Sequence, residues 1–203
     1  MTHTIKRILT LVLLLAATTV TAQDWRWAAR SNLLVPGLNA GIGVTTGAKG
    51  RFSVGADIYY PWMWPFRDNR WCFELLAGGL EARWTFRDGT DPFRRGTGPS
   101  VGISAMAGYY DFERAYKGLQ GEFWCAGIDF RWTFPINRNR WRLGVGVGAG
   151  YLYSQSRDYV VYTPGGELFR TGQWTNYLNF YGPVRADVTL TIPIWHDTKE
   201  GAR

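Results

Sequence analysis

FYGPVRADVTLTIPIW, residues Phe180 to Trp195, decides the fold class. Its even positions read Phe180, Gly182, Val184, Ala186, Val188, Leu190, Ile192 and Ile194. Its odd positions include Arg185, Asp187, Thr189 and Thr191. Successive side chains of a strand point to opposite faces, so one face is apolar and the other carries charge. A half-buried strand of a soluble sheet also alternates, but it does not set an Arg and an Asp on a face that must be enclosed. Alternation over the length of a bilayer crossing, apolar outward and polar inward, is the pattern of a transmembrane β-barrel strand.

The pattern recurs along the chain. Glu122 to Phe134 sets Trp124, Ala126, Ile128, Phe130, Trp132 and Phe134 against Cys125, Gly127, Asp129, Arg131 and Thr133. Arg142 to Tyr153 sets Leu143, Val145, Val147, Ala149 and Tyr151 against Gly144, Gly146, Gly148 and Gly150. Bare glycines on the inner face make room for large neighbours. Trp25–Leu33, Leu38–Thr45, Arg51–Tyr60, Trp71–Phe86 and Val101–Asp111 complete about eight strands. The expected fold is all-β: a closed antiparallel up-and-down transmembrane β-barrel. Glu74 and Glu81 cannot both face inward in one register, which predicts a β-bulge near Gly78-Gly79.

The ends fit export. Lys6 and Arg7 precede the apolar run Ile8 to Ala17, and Val20 and Ala22 are the small residues of a cleavage site. Residues 1–22 are therefore expected to be a secretory signal peptide cut between Ala22 and Gln23, since the apolar run is too short to span a bilayer as a helix. Residues 23–195 form the barrel in this reading, and 196–203 a short periplasmic tail. Tight turns at Thr46–Gly50 and Asn137–Asn139 suit the periplasmic side. Pro61–Arg70, Phe112–Gly121 and Asp158–Asn176 suit longer outer loops. Arg87–Gly98 is a long connection on the periplasmic side, which alternation does not explain.

The chain carries a formal net charge of +7, but its Arg residues are scattered among carboxylates. Nucleic acid is therefore not an expected partner. The inward positions collect Arg26, Arg30, Asn32, Asp57, Glu81, Arg83, Asp129, Arg131, Arg142, Arg185 and Asp187. Three strands each place an acid and an Arg two residues apart: Glu81/Arg83, Asp129/Arg131 and Arg185/Asp187. An eight-stranded barrel is just wide enough for its side chains to fill it, so these charges are expected to pair and plug the lumen, because lone buried charges are prohibitively costly. The competing reading is a narrow channel or transporter, since intramembrane ionisable groups often mark an ion path.

An envelope lipid-modifying enzyme would want an imidazole as base. The two histidines are His3, within the leader, and His196, past the last strand; a non-enzymatic protein without cofactor or metal site is therefore expected. Aromatic belts are expected from Trp62, Trp64 and Trp71 on the outer side, and from Trp84, Phe86, Trp132, Phe134 and Trp195 on the inner. A disulfide is open to Cys72 and Cys125 in an oxidising compartment. With Val101–Asp111 between their strands, however, the backbones should sit about 10 Å apart, beyond the ~7 Å limit.

At Ser31-Asn32-Leu33-Leu34, at Arg51 to Asp57 running into Tyr60-Pro61-Trp62, and at Glu81-Ala82-Arg83-Trp84, the chain resembles a known family. Gly108 to Glu113 and Gly182-Pro183-Val184-Arg185-Ala186 continue the likeness. The family is the Bacteroidota outer-membrane β-barrel proteins catalogued as domain of unknown function 3575. The resemblance implies outer-membrane lipids and the barrel-insertion machinery as partners, with N- and C-termini periplasmic. It also points to a structural or surface-interaction role in the cell envelope, including a surface or fimbrial protein partner. The chain departs from several relatives in lacking His in its Gly98–Gly108 strand.

Overall fold

In the computed structural model the described residues are 26–35, 38–46, 51–60, 71–87, 96–115, 117–136, 141–161, 168–170 and 176–194. They form nine strands: β1 (Arg26–Asn32), β2 (Leu38–Thr46), β3 (Phe52–Tyr60), β4 (Trp71–Thr85), β5 (Gly98–Arg114), β6 (Lys117–Pro135), β7 (Arg142–Val161), β8 (Leu168–Arg170) and β9 (Asn176–Pro193). Each of β1 to β7 pairs antiparallel with the next. β9 pairs with β7 on one side and β1 on the other. Eight antiparallel up-and-down strands thus close into a ring, with the three-residue β8 appended to β7. No helix occurs among the described residues. We call the end where β1 starts and β9 finishes the lower end.

The alternation that identified the strands sorts side chains between the two faces. Ile58, Leu80, Ile103, Ile128 and Val147 stand outward, each more than 60% exposed. Glu81, Arg83, Asp129, Arg131 and Asp187 stand inward and buried. Burial is therefore inverted relative to a water-soluble sheet, in which apolar side chains fill the inside.

The ring wall is uneven. β1, β2 and β3 have 7, 9 and 9 residues, whereas β5, β6, β7 and β9 have 17, 19, 20 and 18. Phe112–Gly121, expected to be an outer loop, is instead mostly ladder. Arg114 pairs with Lys117 and Glu113 with Gly118, and Ala115 adopts φ 51° at the tight turn. Its charged residues read as loop, yet they sit on rows whose neighbours complement them: Tyr159 crosses bare Gly118 to donate a hydrogen bond to Asp111. Likewise, residues 158–161 and 168–170 of the expected Asp158–Asn176 loop are strand.

The bulge is not at Gly78-Gly79. β4 keeps one register against β5 from Trp71 to Thr85, which leaves Glu81 inward and Glu74 on the outward face near the upper end. The break falls in β9, where Gly148 pairs with Arg185 and Ala149 with Pro183, so that Val184 is the extra residue. A bulge reverses parity. Above it Phe180 and Gly182 share the inner face, with the Phe180 ring over Gly182, contrary to the single apolar face read from residues 180–195. Pro183 lacks the N–H of a regular ladder, which suits it to a bulge.

The Arg87–Gly98 connection also gains an account from its described residues. Gly96 and Gly98 have φ of +71° and +96°, values that favour glycine, and they turn the returning chain so that Thr97 is 1% exposed. Beside it, Arg142 at the foot of β7 brings its guanidinium to 2.9 Å from where a Cβ on Gly96 would stand.

Cys125 is a free, buried thiol. Register sets Cys72 opposite Glu113 and Cys125 opposite Met106, seven positions apart along β5, or ~23 Å at about 3.3 Å per residue. No bridge can span that distance. Thiol titration of the unfolded, unreduced protein is expected to find two free thiols; none would contradict this register.

Candidate functional site

The described residues inside the ring include a cluster of paired charges. Glu81 of β4 sits at its centre and accepts from four arginines on four strands. Arg30 of β1 donates to Glu81. Arg131 of β6 straddles it, with Nη1 to Oε1 and Nη2 to Oε2 both at 3.1 Å. Arg185 of β9 reaches Oε2 at 2.8 Å, and Arg83 of β4 lies 3.5 Å away. Three further carboxylates complete the lattice. Asp57 of β3 takes a bidentate contact from Arg30, Asp129 of β6 pairs with Arg83, and Asp187 of β9 lies 2.9 Å from Arg185 and 3.0 Å from Arg131. The four guanidiniums and four carboxylates balance in formal charge. The carboxylates of Glu81, Asp129 and Asp187 are almost wholly buried.

All three i,i+2 pairs read from the sequence are in this cluster, and Arg30 and Asp57 join it. Arg26 is half-buried at the start of β1 and contributes no contact to the lattice, while Arg142 lies below it at the lower mouth. Asn32 belongs to the β1–β2 turn, where its backbone N–H donates to Asn39 Oδ1 at 2.6 Å. Sequence reasoning missed the hydroxyls. Ser100 accepts from Arg83 at 3.3 Å and donates to the Arg131 carbonyl at 3.0 Å, and Thr189 donates to Asp187 at 2.8 Å. Their signal was inward parity beside a charged pair.

The inner-face glycines are what let the long side chains fit. A Cβ on Gly144 would stand 2.8 Å from Arg131 Cδ, one on Gly146 3.0 Å from Asp187 Oδ2, and one on Gly148 2.8 Å from Asp129 Cβ. On the opposite wall a Cβ on Gly55 would collide with the Arg30 guanidinium.

Above the lattice lies a cavity of about 110 Å³. Arg185 and Asp57 are its floor and are the most exposed members of the lattice, at 20% and 17%. Tyr59, Gly79, Met106 and Cys125 contribute to its wall.

Of the aromatics, Trp84, Phe86, Trp132 and Phe134 stand outward and exposed toward the lower end, as read. Trp62, Trp64 and Trp195 lie outside the described residues, as do Ala22 and Gln23; so do the side chains of Trp71 and Cys72. Toward the upper end an aromatic ladder that the sequence reading did not single out crosses three strands. Trp124 packs tilted against Tyr151 at 5.1 Å between ring centroids, and Tyr151 against Tyr181 at 4.8 Å.

Among the described residues no group of three or more His, Cys, Asp or Glu side chains is placed to hold a metal. A family model described as protein of unknown function (DUF3575) matches residues 8–194. The chain belongs to that family. No curated protein and no solved structure matches it.

The lattice generates an ordered expectation for stability. Glu81→Ala, which takes a shared partner from four guanidiniums and leaves them with three carboxylates, should cost at least the ~3–5 kcal/mol typical of breaking a buried pair. Arg83→Ala and Arg131→Ala should each cost several kcal/mol by the same argument. Urea unfolding in detergent measures this; unchanged midpoints in all three variants would mean that these groups face water.

Proposed function

We propose that the ring is a closed transmembrane β-barrel of a bacterial outer membrane, plugged by its own side chains and serving a non-enzymatic structural or surface-interaction role. The observation that carries the reading is the inversion of burial: the enclosed side is ionic and the surrounded side apolar. In water such a belt would drive association, and in a bilayer it is the stable arrangement. The dimensions agree. Trp124 and Trp132 on β6 are eight residues apart, ~27 Å along the strand and ~20 Å along the axis at a tilt of about 40°, which fits within an apolar band of about 25 Å between aromatic girdles. The shortest strands of the ring, 7 to 9 residues, approach the roughly 9–11 needed for one crossing.

A plugged interior favours a structural role over the channel reading. Glu81 and its four arginines occupy the cross-section, Thr97 and Arg142 close in below, and the cavity above ends on Arg185 and Asp57. The lattice also speaks against carboxylate chemistry, since every acid in it is held by an arginine. In this reading the partners are outer-membrane lipids and the insertion machinery, while the upper strands β5 to β7 and β9 present a rim to a surface or fimbrial protein.

Two measurements check the proposal. Unboiled protein in mild detergent should migrate faster on a gel than boiled protein; a mature chain that stays dispersed without detergent would overturn the membrane reading. In planar bilayers the folded protein should give no single-channel steps, and resolved steps would overturn the plug in favour of a pore.

A further inference from the structure

The ring is completed by a short seam. β1 pairs with β9 from Ala28 to Asn32 against Thr189 to Pro193, with one further bond at each end, from the Leu33 N–H to the Val188 carbonyl above and from the Ile194 N–H to the Trp27 carbonyl below. Among the described residues, β9 above Val188 has a strand partner on its β7 side alone. The bulge at Val184 and the donorless Pro183 lie on this stretch. The cavity lies at the same place, because Asn32 and Val35 at the top of β1 line it together with Val184, Arg185 and Ala186 of β9.

The edge of this gap is apolar. Leu33 and Leu34 in the turn after β1, Leu38 at the start of β2 and Ile58 on β3 are each more than half exposed and continue the apolar belt toward the seam. Inside, the wall is mainly apolar or small, with Met106, Cys125, Gly79 and Gly127 surrounding the space. Its volume is somewhat below that of an engineered apolar cavity of about 150 Å³ that stays dry and binds benzene. An opening framed by apolar side chains selects against ions and admits hydrocarbon.

We propose that this cavity takes the end of a single acyl or alkyl chain, which enters sideways from the surrounding lipid above the β1–β9 seam. The inference rests on the membrane reading and adds a ligand class and an entry route to it. Arg185 at the floor is held by Glu81 and Asp187, so the chain end meets a neutralised surface. Gly79 sets the free space: a Cβ there would find its nearest neighbours at 3.7 to 3.9 Å, ordinary contact, whereas Gly78 points outward with nothing within 4 Å. A larger side chain at Gly79 thus fills the cavity without disturbing the lattice.

Cys125, in the cavity wall, is the reporter. The full chain carrying Cys72→Ser is reconstituted into phosphatidylcholine vesicles, and only protein that floats with the vesicles is labelled. Failure to float is a failure of the membrane reading and is seen before the cavity is tested. The probes are hexyl methanethiosulfonate, a neutral alkyl reagent, and its cationic trimethylammonium-ethyl counterpart. The hexyl reagent is expected to modify Cys125 at least roughly tenfold faster than the cationic one, since access decides the rate at a buried thiol. Gly79→Leu should abolish that advantage and Gly78→Leu should leave it. If Gly79→Leu loses the heat-shifted gel mobility of the folded form, Gly79→Ala serves instead and should slow hexyl labelling several-fold. Equal rates for the two reagents, faster cationic labelling, or indifference to the Gly79 substitution would each overturn the proposal.

Discussion

A single carboxylate, Glu81, accepts from guanidiniums that arrive from β1, β4, β6 and β9. A carboxylate offers about four lone-pair sites and an arginine five donors, so one acid can hold several arginines only if the others have acids of their own. Asp57, Asp129 and Asp187 supply them. The desolvation cost of eight charges, several kcal/mol per ion, is offset only when all are present in this geometry. Because a one-residue slip turns every side chain of a strand to the other face, the lattice fixes the register of the strands that feed it. The glycines of β7 are part of the same device, since Gly144, Gly146 and Gly148 face the side chains of Arg131, Asp187 and Asp129.

The sequence displayed this arrangement where it depended on short-range parity. Glu81/Arg83, Asp129/Arg131 and Arg185/Asp187 were visible because residues two apart share a face whatever the strand's partners are. That Glu81 is the shared centre was not visible, since it depends on which strands lie across the ring. The bulge was misplaced for a related reason. Glu74 looked like an inward residue out of phase, whereas it stands outward near the upper end, and the true break at Val184 hid inside an alternation that looked unbroken. The extensions of β5 and β6 were read as loop because the apolar alternation stops there. Their pairing comes instead from cross-strand contacts such as Tyr159 over Gly118, which no single segment reveals.

The division of the interior follows from side-chain size. At the level of Glu81 the inner rows carry long charged groups, and the glycines opposite absorb their bulk. In the next rows upward, Gly79, Ser104 and Gly127 are small on several neighbouring strands at once, so the wall recedes and space opens. Below, Gly96 and Gly98 turn the chain as it enters β5, and Thr97 between them is buried. Among the described residues the interior is thus uneven along its axis, filled by ion pairs at the level of Glu81 and open above it.

The β1–β9 seam joins residues near opposite ends of the chain, and this sets the order of assembly. Hairpins β4–β5, β5–β6 and β6–β7 involve nearby residues and can zip early, whereas contacts of such sequence separation as Ala28 with Pro193 come late. Arg30 of β1 and Arg185 of β9 approach Glu81 from the two sides of that seam, so the shared carboxylate holds both only in the closed ring. Until then part of the lattice lacks its partners, so ring closure and the burial of these charges must advance together. The final step is therefore cooperative, committing the ring as a whole.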